Sequence, residues 1–309
     1  MISTAILAPF YFLFFGLMLS DAAYGLILTT LCAIILKKYK PEGTTHRMIK
    51  MFMFCGLSTF MWGALFGGWF GNFFTVAAKT FFGKEFVIKP LWFDPLSEPM
   101  KLLVVSLILG AIHLFVGMGV QAYMDIKDGR PLDALFDIGL WYLLLIGIVL
   151  FAFGGKLGAG AVGIGKIMAI IGAVGILLTG GRKKKGIFGK LTGGLGSLYG
   201  ITSYLSDVLS YSRLLALGLA TGVVAQVFNT LGSLAGGGIA GSVLLIVVFA
   251  FGTVFNIAIN ALGAFVHSCR LQYVEFFGKF YTGGGRPFAP FERKTKYIKI
   301  LKEGNDNVK

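Results

Sequence analysis

Residues 239–281 read IAGSVLLIVVFAFGTVFNIAINALGAFVHSCRLQYVEFFGKFY, and this apolar run decides the class of the fold. A helix needs about 20 predominantly apolar residues to cross the hydrocarbon core of a bilayer. This run and the preceding one, 190–232, are each about twice that length. The sequence therefore predicts an all-α integral membrane protein whose last two helices are long and strongly tilted, since they exceed the hydrocarbon thickness.

The rest of the apolar sequence predicts six further spans. Four stretches have the length of a single span: 52–78, 102–124, 134–153 and 162–180. The first stretch, 4–36, is too long for one upright helix, and small and polar residues interrupt its middle. It predicts two short helices that meet at a turn around Asp21, which we expect to be a cap or turn residue rather than an ion ligand. The total is eight transmembrane helices.

Composition and motifs exclude most other classes of protein. Hydrophobic residues make up 56% of the chain and charged residues 14%, which excludes an ordinary soluble domain and a disordered chain. The three cysteines lie in apolar runs and form no metal-binding or disulfide pattern. The sequence contains neither a nucleotide-phosphate loop nor a hydrolase motif. We therefore expect no catalytic site, no metal and no cofactor in this chain.

The distribution of basic residues predicts the topology. With eight spans both termini lie on one side, and that side carries twenty Lys and Arg residues against six on the other. The positive-inside rule then places both termini in the cytoplasm. The net charge of +14 is explained by topology and by anionic lipid headgroups, so nucleic acid is not an expected partner.

Two basic residues lie within the apolar runs, Arg213 and Arg270. An arginine at the centre of a spanning helix costs about 2.5 to 3.5 kcal/mol on insertion scales, and such residues meet a partner or a water-filled cavity. The alternative is that each side chain extends along the helix to a membrane interface. Arg213 lies about halfway along its run, far from either interface, so the alternative fits Arg270 better than Arg213.

Polar residues accompany both arginines at helical spacing. On the last helix they fall within about 40° of a common line: Asn256, Asn260, Gly263, His267 and Arg270. The preceding helix carries a comparable face: Ser203, Ser206, Asp207, Ser210 and Arg213. We expect these two faces to turn toward each other or toward a third polar object.

The remaining titratable residues leave alternatives open. His267 could relay protons, because its ordinary pKa is about 6.5, or it could simply hydrogen-bond a neighbouring helix. His113 and His46 are expected to be structural or surface residues. Glu275 lies about 140° around the helix from Arg270, which predicts a different face and a place in a cytoplasmic vestibule or a capping role. Gly63, Gly67 and Gly71, spaced four apart, are typical of close helix packing.

Three segments resemble a known family. SYLSDVLSYSRLLALGLA (203–220) and FVHSCRLQYVEFFGKFYTGGGRPFAPF (265–291) resemble the last two membrane helices of the stator subunit of V-type and A-type rotary ATPases, called subunit a or subunit I. APFYFLFFGLMLSDAAYGL (8–26) resembles the start of that subunit's membrane domain. The resemblance covers most of the chain in order and divides it into residues 1–185 with six spans, 186–285 with the two long helices, and a basic cytoplasmic tail, 286–309.

The resemblance implies a mechanism. In that family the long helices lie against a rotating ring of proteolipid subunits, and two offset half-channels deliver protons or sodium ions to a buried carboxylate on each ring subunit. Arg213 matches the arginine that pairs with the ring carboxylate, and Arg270 matches a second arginine. The implied partners are the proteolipid ring, the peripheral stalk, the central-stalk and ring-associated subunits and the lipid bilayer, here a prokaryotic plasma membrane.

Departures from the family pattern limit what can be carried over. Eukaryotic relatives commonly have Glu and His at the positions of Asn260 and Thr221, so a polar path here must rely on Asn256, Asn260, His267 and water. Family members carry a cytoplasmic N-terminal domain that binds the stalks, and we expect no counterpart of it among these residues. Two rival functions remain: a stand-alone secondary transporter with both arginines binding an anionic substrate, and a passive scaffold.

Overall fold

The computed structural model describes residues 2–82, 88–156, 159–182, 187–234 and 238–281, with residues 288 and 291. These ranges are helical and contain no strand, so the predicted all-α class is confirmed. The α-helices are α1 (Ile2–Leu19), α2 (Ala22–Tyr39), α3 (Gly43–Phe66), α4 (Phe73–Phe82), α5 (Pro99–Lys127), α6 (Pro131–Ala134), α7 (Leu140–Phe153), α8 (Ala159–Thr179), α9 (Ile187–Tyr199), α10 (Ile201–Ser210), α11 (Ser212–Ser233), α12 (Ile239–Arg270) and α13 (Phe277–Phe280). Two π-helical turns, Leu135–Gly139 and Leu271–Phe276, and a 3₁₀ turn, Gly154–Lys156, lie between them.

Within the described ranges, six helical stretches are long and apolar enough to cross a membrane. They are Ala22–Tyr39, Gly43–Phe66, Pro99–Lys127, Gly160–Thr179, Thr192–Ser233 and Gly241–Phe280. Two shorter apolar helices, Ala5–Leu19 and Leu135–Phe151, lie where the other two predicted spans were placed. The count of eight spans and the tilt of the last two helices stay predictions.

The predicted end of one span was wrong. The span predicted at 52–78 ends at Phe66, because Gly67 adopts a left-handed conformation (φ 73°) that caps α3, and α4 starts only at Phe73. Gly67 and Gly71 therefore belong to the connecting turn, where Gly71 still allows a close approach of α11, since a Cβ there would stand 2.8 Å from Cβ of Ala225. Only Gly63 of the three lies inside the helix, where a Cβ atom would stand 2.0 Å from the backbone nitrogen of Ala22.

The predicted helix across 190–232 is not regular along its whole length. It consists of α9, α10 and α11 in succession, with turns at Gly200 and Tyr211. At the second turn the Tyr211 N–H bonds the Val208 carbonyl (3.1 Å), a residue three positions back instead of four. The last helix, α12, continues through the π-turn into α13. The boundary near residue 185 and most of the 286–309 tail lie outside the described residues.

Helix α1 lies at the centre of the fold. Its side chains Phe14, Phe15, Leu17 and Leu19 have no exposed surface, and α1 packs against α3, α11 and α12. A second cluster forms where the α7–α8 pair meets α5, and it includes Trp141 and Met118. The central position of α1 fixes the arrangement of the helices that carry both arginines.

The junction between α1 and α2 confirms the expected role of Asp21. Its Oδ1 accepts hydrogen bonds from the backbone N–H groups of Ala23 (3.0 Å), Tyr24 (3.2 Å) and Phe70 (3.1 Å). Its Oδ2 accepts one from the Gly71 N–H (2.9 Å). A buried carboxylate with four such donors is well compensated. Asp21 therefore caps α2 and holds the turn that follows α3.

Candidate functional site

The turn before α11 is held by a buried tyrosine. Tyr211 has no exposed surface, and its hydroxyl lies 2.7 Å from Nδ1 of His113 on α5. Gly110, one helical turn before His113, leaves room for the ring, since a Cβ there would stand 2.3 Å from Cγ of Tyr211. These contacts fix the backbone two residues before Arg213. They also confirm that His113 is a structural residue.

The π-turn Leu271–Phe276 forms the side of the site that faces the turn before α11. A π-turn replaces the usual i→i+4 bonding by i→i+5 and so reorients the side chains that follow. Phe276 is fully buried and stacks on His113, with ring centroids 4.4 Å apart and 4° between the ring planes. His113 thus contacts both chain segments that flank the site. Glu275, the neighbour of Phe276, is directed to the interior and is 3% exposed.

Arg213, Ser210 and Glu275 form the charged centre of the site. The Arg213 Nη2 donates a hydrogen bond to Oγ of Ser210 (2.8 Å), and that hydroxyl donates to Oε1 of Glu275 (2.5 Å). Arg213 Nη1 lies 3.5 Å from the same carboxylate oxygen, and the Arg213 side chain is 19% exposed. Glu275 is buried against α10 and α11, and its predicted place in a vestibule or capping role stays a prediction. Arg270 is exposed, in contrast to Glu275.

The centre is not fully hydrogen-bonded. Among the described residues, Nη1 of Arg213 and Oε2 of Glu275 are buried atoms without a hydrogen-bond partner, and so is Nδ1 of His267. Buried polar atoms are usually satisfied, and exceptions are often found at functional sites. In the isolated chain, polar atoms around Arg213 therefore lack hydrogen-bond partners, whereas both oxygens of Asp21 are hydrogen-bonded.

Arg270 and His267 lie beside this centre on α12. Arg270 is exposed and His267 is half-buried. Both are close enough for their charges to interact with that of Arg213. The structure thus brings together the two arginines and the histidine that the sequence placed on facing helices.

The two asparagines of the predicted polar stripe are bonded inside the bundle. Asn256 Nδ2 donates to the Tyr24 hydroxyl (3.0 Å) and to the Thr221 carbonyl (3.1 Å). Asn260 Nδ2 donates to the Asn256 carbonyl (3.1 Å) and also contacts its side-chain oxygen. Asn256 has no exposed surface and Asn260 only 6%. The stripe therefore runs from the interior of the bundle at Asn256 to its surface at Arg270.

Asp207 lies at the edge of the site. Its Oδ2 pairs with Nζ of Lys279 on α13, and that ammonium lies 4.1 Å from the centre of the Tyr204 ring. The sequence patterns assigned no role to Tyr204 or Tyr211. The only sequence signal for Tyr211 is its position two residues before Arg213. Within the described ranges no group of three or more His, Cys, Asp or Glu residues could hold a metal ion.

This arrangement is that of a helical membrane protein with a charged cluster between its last long helices, and comparisons with known proteins agree. Residues 201–293 match the V-type ATPase 116kDa subunit family. The chain is 35% identical over 95% of its length to the A-type ATP synthase subunit I of Methanocaldococcus jannaschii, of which it covers 45%. It is 36% identical over 96% of its length to the subunit I of Thermococcus kodakarensis, of which it covers 44%.

A more distant match connects the chain to bacterial proteins. The V-type ATP synthase subunit I of Borreliella burgdorferi is 25% identical over 93% of this chain, and the chain covers 48% of it. The family resemblance predicted from the sequence is thereby confirmed. The chain is homologous over most of its length to subunit I of A-type and V-type ATP synthases, and it spans about half the length of these relatives.

Proposed function

We propose that this chain is the ion-carrying membrane part of the stator of a rotary ATPase or ATP synthase. In this role it is a membrane subunit that does not itself catalyse ATP chemistry. Protons or sodium ions enter and leave through two offset half-channels and pass between them on a rotating proteolipid ring. The names of the relatives, A-type and V-type ATP synthase subunit I, support a place in such a complex.

The environment of Arg213 is the observation that carries the proposal. Arg213 lies in the middle of the Thr192–Ser233 stretch, held by Ser210 and Glu275 but with Nη1 not hydrogen-bonded. A guanidinium does not lose its proton in a protein. When a ring carboxylate passes, this fixed cation favours its ionised form and so drives off the bound proton or sodium ion. The same cation blocks a direct ion leak between the half-channels.

The surrounding residues receive roles along the ion path. Arg270 supplies a second cation beside Arg213, and His267 can exchange protons with water at that point. Asn256, Asn260 and bound water form the polar path on one side of Arg213. Ser210, Asp207 and Glu275 form the path on the other side. None of these residues needs a cofactor for its role.

The wider assembly follows from the same proposal. Eight spans place both termini in the cytoplasm of a prokaryotic cell, with the chain in the plasma membrane. The last two helices lie tilted against the proteolipid ring. The part of subunit I outside this chain binds the peripheral stalk, and the ring connects to the central stalk.

The test is ATP-driven ion uptake by the assembled complex in lipid vesicles, with Arg213→Ala in the complete subunit. We expect assembly to survive and uptake to be lost. Arg130→Ala is the matched control, because Arg130 is exposed and pairs only with Asp125 and Asp128 among the described residues. Coupled uptake retained by Arg213→Ala would overturn the proposal.

Co-purification separates this function from its rivals. A proteolipid ring bound to the subunit supports the stator. An isolated chain that transports an anion without a ring would instead show a secondary transporter. If the subunit neither binds a ring nor transports an ion, the scaffold function remains.

A further inference from the structure

The charges around the site are unequal in number. The guanidinium of Arg270 is near enough to act electrostatically on that of Arg213, and one carboxylate, Glu275, is paired directly with Arg213. The nearby Asp207 and Lys279 neutralise each other. If Glu275 is counted as ionised, the described part of the site carries one uncompensated positive charge.

We infer that Glu275 is a positioning residue that neutralises one of the two arginines, so that a ring carboxylate meets a site with one surplus positive charge and not two. The inference rests on the proposed stator function and deepens it. Its geometric basis is the 3.5 Å separation of Arg213 Nη1 from Glu275 Oε1, in a pair of which Glu275 is 3% exposed.

Ser210 allows the guanidinium of Arg213 to reorient without losing its link to Glu275. Its hydroxyl accepts a hydrogen bond from Arg213 and donates one to Glu275, so it bridges the cation and the anion. Nη1 of Arg213 has a carboxylate oxygen within ion-pair range but no hydrogen bond. The guanidinium can therefore turn one edge to a ring carboxylate while its other edge stays bound to Ser210. The charge of Glu275 remains close by throughout.

The surplus charge sets how easily the ring carboxylate reloads. A nearby opposite charge lowers the pKa of a carboxyl group by about 1 to 3 units. A second uncompensated cation would lower it further and weaken the binding of the next proton or sodium ion. The negative charge of Glu275 limits how strongly the ionised ring carboxylate is stabilised, so the carboxylate can bind its next ion and leave Arg213.

Other groups that face Glu275 do not replace its charge. Tyr211 and His113 lie on the α5 side, Asp207 and Lys279 at the edge, and Arg270 and His267 on α12. Asp207 is the only other carboxylate among these groups, and its partner is Lys279. Glu275 is therefore the one acidic side chain of this set that can balance the arginines.

The test measures how ATP-driven uptake in the assembled complex depends on the concentration of the pumped cation at the loading side, for Glu275→Gln. Uptake is normalised to the amount of assembled complex. We expect the half-maximal cation concentration to rise about tenfold, since one unit of carboxylate pKa is a tenfold change in proton affinity and the same added positive charge weakens the binding of a sodium ion. Glu98→Gln is the matched control, because Glu98 pairs with the exposed Lys101 far along the chain.

Glu275→Asp separates charge from packing. This variant keeps the charge and shortens the side chain, so we expect a half-maximal concentration close to that of the unaltered complex. An unchanged value in Glu275→Gln would overturn the inference, and so would a tenfold rise in Glu275→Asp. If Arg213→Ala abolishes uptake while Glu275→Gln leaves the half-maximal concentration unchanged, only this inference fails and the stator function stands. If Arg213→Ala retains coupled uptake, the stator function itself fails.

Discussion

Asp21 and Arg213 are both charged side chains placed among apolar helices, and the protein surrounds them differently. Four backbone N–H groups bond the two oxygens of Asp21, and the residue is 3% exposed. Arg213 has one hydrogen bond to Ser210 and an offset ion pair with Glu275, and its Nη1 has no hydrogen bond among the described residues. A charge that is fully bonded by its own chain stabilises the fold. A charge that is bonded only in part can still receive a partner from outside.

The largest effect is expected from Arg213→Lys. A lysine keeps a cation but loses the planar group that reaches both Ser210 and Glu275, and it can lose its charge on burial. We expect the initial rate of ATP-driven uptake per assembled complex to fall at least tenfold. A rate within twofold of the unaltered complex would show that any cation suffices here and would weaken the contrast with Asp21.

Asp21→Ala is expected to have the opposite effect to Arg213→Lys: it lowers the stability of the subunit and leaves ion uptake unchanged. The four N–H groups lose their acceptor, and two of these hydrogen bonds are fully buried. We expect a loss of about 3 to 5 kcal/mol, measured as a lower yield of assembled complex and a lower temperature of subunit aggregation. Asp128→Ala, at an exposed carboxylate, is the control. Loss of uptake in complexes that do assemble would contradict the structural role of Asp21.

Gly63→Ala tests the close packing beside Asp21. The new methyl group would stand 2.0 Å from the Ala22 nitrogen and 2.4 Å from the Asp21 carbonyl carbon, so backbone must move. We expect a cost of about 1 to 3 kcal/mol in stability. Gly163→Ala is the matched control, because a methyl group added there would meet no other atom within 4 Å. Equal stability of the two variants would show that α3 does not pack closely against the junction between α1 and α2.

The smallest effect is expected from Asp207→Asn at the edge of the site. The Asp207–Lys279 pair is partly exposed, at 21% and 13%, and Lys279 keeps its contact with the Tyr204 ring. We expect a stability change below about 1 kcal/mol and an uptake rate within about twofold of the unaltered complex. A loss of uptake comparable to that of Arg213→Ala would show that the ion path needs the charge of Asp207 and not only a polar side chain there.

The sequence predicted the parts of this fold that follow from apolar length and helical period. These two patterns were enough to predict the all-α class and the turn at Asp21. They were also enough to predict that Arg213 faces α12. The environment of Glu275 could not be predicted, because a regular helix was assumed where a π-turn occurs. The end of α3 at Gly67 was missed for a related reason, since the glycine spacing fits a helix face and a left-handed cap equally well.

The bonds of the polar stripe also lay beyond sequence reasoning. Asn256 and Arg270 share one line on α12, but α2 and α11 cover only the first of them. Which part of a helix face is covered depends on the neighbouring helices, and a single sequence does not specify their positions. The same holds for the His113–Tyr211 contact, which joins residues 98 positions apart.

The most direct measurement is an experimental structure of the assembled complex by electron cryomicroscopy, with the complete subunit and its ring in lipid. The account predicts that the Arg213 guanidinium lies within about 4 Å of a ring carboxylate at the depth of the hydrocarbon, with Ser210 still bonded to its other edge. A guanidinium that reaches bulk water or lipid headgroups, with no ring carboxylate opposite it in any rotational state, would contradict the account.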